Sequence, residues 1–249
     1  MPLKQSVGHW PISKLDDDGL KRVLEIGITG IEMPPADTYQ KFRDLGFTIA
    51  TIAGHKSLED GLNKRENHSR IADEIRANLE EAKQFAIPNL ICFSGNRNGM
   101  SEAEGAANTV EGLSLVAKDA EAAGVNLIPE LLNSKVDHPD YQCDHTIWGV
   151  GVIEAVNSPR VKLLYDIYHM QIMEGDLIRT IQANAQHIAH YHTAGNPGRK
   201  DLDENQEIWY PPIVRAIVES GYDGWLGHEF SPKSDVLASL EQAFRLCDV

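Results

Sequence analysis

The chain has 249 residues, 42% of them hydrophobic, which is enough to bury a large core within one α/β barrel domain. Its 23 basic and 37 acidic residues give a formal charge of −14. Because nucleic-acid binding depends on a basic surface, this balance disfavours nucleic acid as a partner and favours a small molecule.

The cysteines and the apolar segments indicate a cytoplasmic protein. Cys92, Cys143 and Cys247 are odd in number and share no CxxC spacing, so neither a disulfide framework nor a structural zinc site is expected. The N-terminal sequence MPLKQSVGHW lacks the apolar segment of a signal peptide. No uninterrupted apolar run reaches the roughly 18 residues that cross a bilayer, so we expect no membrane association.

Apolar runs bounded by turn residues alternate with helix-length segments along the chain. Eight such runs are predicted as strands: Gln5–His9, Ile28–Met33, Phe47–Ala53, Asn89–Ser94, Val125–Leu131, Val161–Ile167, Ile188–Thr193 and Trp225–Phe230.

The intervening segments carry helix signals. Apolar residues recur at helical spacing in Asn67–Phe85, and a capping-box string, SEAE, opens Ser101–Ala123. Glycine follows several of these segments, as expected at helix ends, at Gly27, Gly46, Gly124 and Gly221. Eight strand-helix units without a composition break predict an α/β fold, a (β/α)8 barrel that forms one domain over residues 1–249.

Residues that bind hard or borderline metal ions lie at the polar ends of four successive apolar runs. They are Glu130, Asp166, His192 and Glu229, at spacings of 36, 26 and 37 residues that leave room for one helix between neighbours. All four side chains are therefore expected at the C-terminal end of one parallel sheet, where such folds build their sites.

Three carboxylates and one imidazole suit a single divalent ion, Mn²⁺, Mg²⁺ or Co²⁺, with Zn²⁺ an alternative. A single strand-end carboxylate is more often a helix N-cap or a surface charge. Four potential ligand residues at matching strand ends favour a metal site. An ion there would polarise a carbonyl, while a carboxylate could move a proton between adjacent carbons.

Two flanking residues are predicted to bind substrate. His169 follows Asp166 by three residues and could donate to a substrate oxygen. Arg199 lies in the Gly/Pro-rich loop after His192, from which its guanidinium could hold a carboxylate or hydroxyl of the substrate in bidentate fashion. The alternative for His169 is a loop histidine bonded to a backbone carbonyl, and the alternative for Arg199 is a solvated loop arginine. Weaker candidates are His9, Trp10, Glu32, His55, Lys56, Lys135 and Glu207.

Motifs for nucleotide binding, serine hydrolysis and zincin chemistry are absent from the sequence, which has no GxGxxG after a strand, no GxxxxGK[ST], no GxSxG and no HExxH.

The strings YDIYHMQIMEGDL, IAHYHTAGNPGR and ESGYDGWLGHEFSP resemble the corresponding parts of hydroxypyruvate isomerases, within the xylose-isomerase-like barrel superfamily. The resemblance covers most of the chain and is strongest from Glu130 to Pro232. It implies a (β/α)8 barrel, a homo-oligomer, and isomerisation between hydroxypyruvate and tartronate semialdehyde.

The same resemblance implies roles for individual residues. Glu130, Asp166, His192 and Glu229 would hold the metal, and Glu130 and Glu229 would also transfer the proton between C2 and C3. His169 and Arg199 would orient the substrate, with His55, Lys135 and Glu207 as further substrate-binding residues.

Two departures from the family pattern keep a second substrate class open. Hydroxypyruvate isomerases usually carry glutamine where this chain has His192, whereas ketose 3-epimerases carry histidine there. After Arg199 the chain reads KDLDENQE in place of the family's Thr-Gly-Glu ending. The epimerases usually place a second glutamate at the position of Val136. A barrel that binds a sugar or sugar acid without turning it over is the alternative of another class, and an endonuclease IV-like activity is disfavoured by the net charge.

Overall fold

The computed structural model describes residues 3–249, and its eight strands form a closed, fully parallel barrel. Each strand pairs with its sequence neighbours, and the first strand pairs with the last. The strands are β1 (Lys4–Gly8), β2 (Ile28–Glu32), β3 (Thr48–Ala53), β4 (Asn89–Cys92), β5 (Asn126–Leu131), β6 (Leu163–Asp166), β7 (Ile188–Thr193) and β8 (Trp225–His228).

Helices surround the barrel and carry the chain from each strand to the next. They are α1 (His9–Ile12), α2 (Asp17–Ile26), α3 (Tyr39–Leu45), α4 (His68–Phe85), α5 (Glu102–Ser114), α6 (Ala117–Ala123), α7 (Thr146–Val156), α8 (Ile167–Met173), α9 (Leu177–Asn184), α10 (Tyr210–Glu219) and α11 (Val236–Cys247). Short 3₁₀ turns lie at Ala36–Thr38, Arg65–Asn67 and Ala185–His187. No helix within residues 3–249 is long and apolar enough to cross a membrane.

The predicted (β/α)8 barrel is confirmed, and all eight predicted strands are present with ends displaced by at most two residues. The last one ends at His228, so Glu229 follows β8 directly. The prediction of one helix over Ser101–Ala123 was wrong, because the segment forms α5 and α6. Val116 leaves the helical region at φ −124°, and this turn buries Val116 while Leu115 faces solvent.

Two cores stabilise the fold. The larger lies between the sheet and the helices, where the outward-facing strand residues meet the helix stripes. The smaller lies inside the barrel and consists of Ile91, Ile128 and Leu164, on the β4 to β6 side. The rest of the interior near the C-terminal ends of the strands is polar, which is the first structural indication of a site there.

Gly27 is the point at which α2 ends and the chain enters β2. Its φ is +112°, and a Cβ placed on it would lie 2.4 Å from Cζ of Phe244 in α11. The glycine therefore permits both the left-handed turn and the close packing of the first long helix against the last one.

We expect Gly27→Ala to destabilise the protein more than Gly124→Ala, which serves as the matched control. Gly124 also ends a helix with positive φ, but a Cβ there meets no atom within 4 Å. The control should cost only the left-handed strain of about 1–2 kcal/mol. Gly27→Ala should add about 1–3 kcal/mol for overpacking against Phe244. Urea unfolding measures both values, and equal losses would contradict the packing argument.

Candidate metal centre

The four predicted ligands converge at the C-terminal mouth of the barrel. One ligand atom from each of Glu130, Asp166, His192 and Glu229 lies within 4.8 Å of all the others. Glu130, Asp166 and His192 point inward from β5, β6 and β7, and Glu229 follows β8, where its backbone N–H donates to the carbonyl of Thr193 in β7. The pleat of parallel strands thus brings residues distant in sequence to one point.

Nδ1 of His192 lies at the centre of the carboxylates, 3.4 Å from Glu130 Oε1, 3.9 Å from Asp166 Oδ2 and 3.0 Å from Glu229 Oε2. Among the described residues, Nδ1 and the first two of these oxygens are buried without a hydrogen-bond partner. Unpaired buried polar atoms are costly, so several that face one point indicate a ligand.

The charges at this point also fit a divalent cation. Glu130, Asp166 and Glu229 supply three carboxylates, and Arg199 supplies one positive charge. With a neutral His192, two negative charges are left for a cation to neutralise. Carboxylate oxygens and one imidazole nitrogen form a donor set that suits Mn²⁺, Mg²⁺, Co²⁺ or Zn²⁺.

Glu32, a weak candidate in the sequence, orients His192, the candidate histidine ligand. It accepts a hydrogen bond of 2.8 Å from His192 Nε2, so the lone pair of a neutral His192 lies on Nδ1, facing the carboxylates. It also accepts from His190 Nε2 at 3.0 Å, Thr51 Oγ1 at 3.0 Å and Ser6 Oγ at 2.5 Å. Burial favours a raised pKa for Glu32, but the charges of His190 and His192 outweigh it and lower the pKa well below its usual value.

Gly227 of β8 provides the space for the Glu32 carboxylate. A Cβ at position 227 would lie 2.1 Å from Glu32 Oε1 and 2.9 Å from His192 Cδ2. The bare backbone of β8 therefore lets a glutamate from β2 reach a histidine on β7 across the interior.

Arg199 lies in the loop after β7 and reaches the residue after β8. Its Nη2 donates to Glu229 Oε2 at 2.5 Å and lies 3.8 Å from Asp166 Oδ2. The carbonyl of Arg199 accepts from the backbone N–H of Ser231, and Asp201 accepts from that of Lys233. These bonds join the loops after β7 and β8, so Arg199 is held over the ligands.

The two glutamates have opposite pKa shifts. Burial raises the pKa of Glu130, and the charge of Glu229 adds to this effect. Burial would also raise the pKa of Glu229, but the charges of Arg199 and then His192 outweigh it and lower the pKa. Burial would lower the pKa of His192, whereas Glu32 and Glu229 raise it well above its usual value. A proton and a cation would therefore compete for the lone pair on Nδ1.

His169 lies beside the ligands, at the start of α8. The backbone N–H of His169 donates to Asp166 Oδ1 at 3.0 Å, so Asp166 caps this helix while its other oxygen faces the metal site. The His169 ring is buried, with Nε2 3.7 Å from Asp166 Oδ2. The predicted proximity of His169 and Arg199 to the four ligands is thus present.

The other predicted substrate-binding residues contact protein groups. His55 accepts from the backbone N–H of Phe93 through Nε2, and Lys135 donates to carbonyls at the end of α8. Glu207 accepts from the side chains of Asn196 and Gln171. Their roles toward a substrate stay predictions. Among the weaker candidates, His9 packs edge-on against a phenylalanine, and Trp10 and Lys56 are exposed.

Three residues near the site were not found from the sequence. His190 could have been, because its spacing of two from His192 places both on the inner face of β7. Asn133 and His138 lie in the irregular loop after β5, where no periodicity indicates which side chains turn inward.

A profile of the xylose isomerase-like TIM barrel family matches residues 20–246. The chain belongs to the xylose isomerase-like TIM barrel family. The 2-oxo-tetronate isomerase of Cupriavidus necator is 33% identical over 134 residues, which cover 54% of this chain and 51% of that protein. The hydroxypyruvate isomerase of Escherichia coli is 31% identical over 169 residues, 68% of this chain and 65% of that protein.

A solved structure supports the same barrel. The AP endonuclease, family 2, from Brucella melitensis superposes with a TM-score of 0.86 at 24% identity, over 96% of this chain and 97% of that one. At this identity the likeness shows the fold of the xylose isomerase-like barrel and not its activity.

We expect Glu32→Gln to weaken divalent metal binding about 10- to 100-fold, the usual effect of losing a residue that orients a ligand. Glutamine keeps the shape but has one acceptor oxygen, so it cannot serve both histidines. Competition with a chromogenic chelator measures the affinity for Mn²⁺. The control is Glu74→Gln, which removes a carboxylate that pairs with Arg70 within α4. Unchanged affinity in Glu32→Gln would show that His192 needs no such orientation.

Proposed function

We propose that this xylose isomerase-like barrel is a divalent-metal-dependent isomerase of a small hydroxycarbonyl compound, with hydroxypyruvate as the first candidate substrate and tartronate semialdehyde as the product. The observation that supports this most is the pair of glutamates. Glu130 lies in β5, Glu229 directly follows β8, and the two flank His192 Nδ1 at 3.4 and 3.0 Å.

The pair fits a proton transfer between adjacent carbons. One glutamate removes a proton from C3 of hydroxypyruvate, and an enediolate forms as the C2 carbonyl takes up the electron pair. The other returns a proton to C2, while the proton of the C3 hydroxyl passes to the C2 oxygen, so that C3 becomes the aldehyde and C2 carries the hydroxyl. These steps conserve atoms and electrons, so no redox cofactor is required. A bound divalent ion would polarise the carbonyl and offset the developing negative charge.

Two further residues would assist the reaction, one by orienting Glu229 and one by binding the substrate. Arg199 Nη2, 2.5 Å from Glu229 Oε2, can keep that carboxylate ionised and aimed at the reacting carbons. His169, buried next to Asp166, can donate to a substrate oxygen. The names of the curated relatives, 2-oxo-tetronate isomerase and hydroxypyruvate isomerase, support a small sugar acid as the substrate.

A ketose 3-epimerase is the second candidate, favoured by the imidazole of His192 in the ligand set. The same two glutamates would then remove a proton at C3 of a ketose and return it on the opposite face. A barrel that only binds a sugar or sugar acid is the third candidate, although it would have no need of two flanking glutamates.

Deuterium exchange separates these candidates. The Mn²⁺-loaded protein is incubated in D₂O with hydroxypyruvate, tartronate semialdehyde and free ketoses, and incorporation is followed by NMR. We expect exchange into hydroxypyruvate and its product, and loss of exchange when the metal is removed by a chelator. Exchange at C3 of a ketose alone would favour epimerisation, and no exchange with any compound would rule out catalysis on this panel.

Replacing either glutamate should abolish most of the turnover. Glu130→Gln and Glu229→Gln each remove a carboxylate that can carry a proton, and we expect kcat to fall by at least about 100-fold. Glu219→Gln, at an exposed glutamate that ends α10, should leave kcat unchanged. Metal content is measured for each variant so that loss of the ion is recognised. A fully loaded variant with near-normal turnover would remove that residue from the mechanism.

A further inference from the structure

His169 presents one ring nitrogen to the candidate metal centre. The ring is fully buried, and its Nε2 lies 3.7 Å from Asp166 Oδ2, on the side of the candidate metal ligands. Within the described part of the chain, this nitrogen makes no hydrogen bond. A buried polar atom that faces a site without a partner indicates a contact with a ligand. His169 can donate to that ligand only if Nε2, and not Nδ1, carries the ring hydrogen.

The opposite ring nitrogen, Nδ1, faces the side-chain amide of Asn133. Nδ2 of Asn133 lies 2.6 Å from His169 Nδ1 and 2.6 Å from Asp137 Oδ2. The other amide atom, Oδ1, accepts from the backbone N–H groups of Val136 and Asp137 at 3.0 and 2.9 Å. Two N–H donors require an oxygen at this position, so the amide cannot be turned over. Asn133 therefore presents its N–H groups to the histidine ring.

Asp137 supports the same orientation of the amide. Its Oδ2 accepts from Asn133 and also from the hydroxyl of Tyr168, at 2.8 Å. Burial would raise the pKa of Asp137, but the hydrogen bonds from Asn133 and Tyr168 outweigh it and lower the pKa. Asp137 is therefore an ionised acceptor. Two backbone donors and one carboxylate acceptor thus determine which way the amide of Asn133 faces.

The orientation of Asn133 determines the tautomer of His169. A hydrogen on Nδ1 would point at the N–H groups of Asn133 across 2.6 Å, and two donors repel each other. Nδ1 is therefore an acceptor, and Nε2 carries the hydrogen. A ring nitrogen that carries hydrogen can donate to an oxygen but cannot bind a cation. His169 is thus a hydrogen-bond donor beside the candidate metal ligands and not a further ligand.

The loop that carries Asn133 is fixed to the barrel. Asn133 is fully buried, and its carbonyl accepts from the backbone N–H of His138 at 3.1 Å. Further along the loop, the hydroxyl of Tyr141 donates to the carbonyl of Glu130 in β5 at 3.1 Å. The amide is therefore held at a constant position relative to the strand that carries Glu130. A donor that is aimed in advance needs no reorganisation when charge develops on a substrate.

We propose that Asn133 is a positioning residue that holds His169 in the Nε2–H tautomer, so that His169 donates to the substrate oxygen on which negative charge develops. This inference rests on the proposed isomerase function and deepens it by assigning a role to a residue that acts only through His169. The hydrogen stays on Nε2 throughout the reaction, and the transfer of protons between carbons is left to the two glutamates.

Nitrogen NMR reads the tautomer without any substrate. The metal-free and Mg²⁺-loaded proteins are labelled with ¹⁵N-histidine, and the His169 signals are identified by their loss in His169→Gln. We expect hydrogen on Nε2 in the wild type. Asp137→Asn is the matched control and should keep this tautomer, because the backbone still holds Oδ1 of Asn133.

A double variant that adds Asn133→Asp to Asp137→Asn exchanges the amide and the carboxylate and preserves the net charge. It should place hydrogen on Nδ1, since a carboxylate accepts where the amide donated. Hydrogen on Nδ1 in the wild type, or the same tautomer in the double variant and the control, would overturn the proposal.

Turnover of hydroxypyruvate then tests the donor. The double variant is compared with Asp137→Asn, from which it differs only at position 133, at a pH at which the NMR signals show a neutral His169 ring in both. We expect kcat to be about 100-fold lower in the double variant, the usual effect of losing one donor to a developing oxyanion, with a smaller change in KM. Equal kcat values would contradict the role of Asn133.

Binding of oxalate separates this inference from the isomerase function. Oxalate carries two adjacent C–O groups, as an enediolate does, but cannot isomerise. Calorimetry on the Mg²⁺-loaded proteins should show about tenfold weaker binding to the double variant than to Asp137→Asn, because one hydrogen bond to a charged oxygen is lost. The difference should persist at high ionic strength, which screens the displaced charge. This result without turnover by the wild type would contradict the isomerase function alone, whereas equal binding, or none by the wild type, would overturn the donor role of His169.

Discussion

The candidate site depends on the hydrogen bonds that the buried carboxylate of Glu32 accepts. This carboxylate joins Ser6 of β1, Thr51 of β3 and both inward-facing histidines of β7 across the interior of the barrel. A buried charge is tolerated only when it is well hydrogen-bonded, and here four donors supply that compensation. The same bonds leave Nδ1 of His192 facing the carboxylates, so the interior network and the candidate metal ligands form one unit.

The barrel and the convergence of the four candidate ligands could be predicted because both follow from short-range patterns. Strands of parallel sheets appear as apolar runs, and a polar residue at the end of each run marks the functional face. Glu130 and Asp166 are such residues. The split of α5 from α6 could not be predicted, because it depends on which of Leu115 and Val116 finds space in the core.

The outer parts of the site depend on contacts between distant loops, which a single sequence does not reveal. Glu32 and His192 are 160 residues apart, and only closure of the barrel brings them together. The loop after β5 shows the same limit. The amide of Asn133 orients a histidine 36 residues away, yet nothing in its local sequence distinguishes it from an ordinary turn asparagine.

Gly227 links the width of the barrel to its chemistry. Because the space above its Cα is filled by a carboxylate from β2, any side chain at this position would have to displace that carboxylate or force the strands apart. Variation at position 227 is therefore coupled to position 32. In a protein of this fold with a larger residue at position 227, a glutamate at position 32 has no room for its carboxylate. The β7 histidine must then be oriented by a different acidic residue or left without one. The two positions can therefore be expected to change together among relatives.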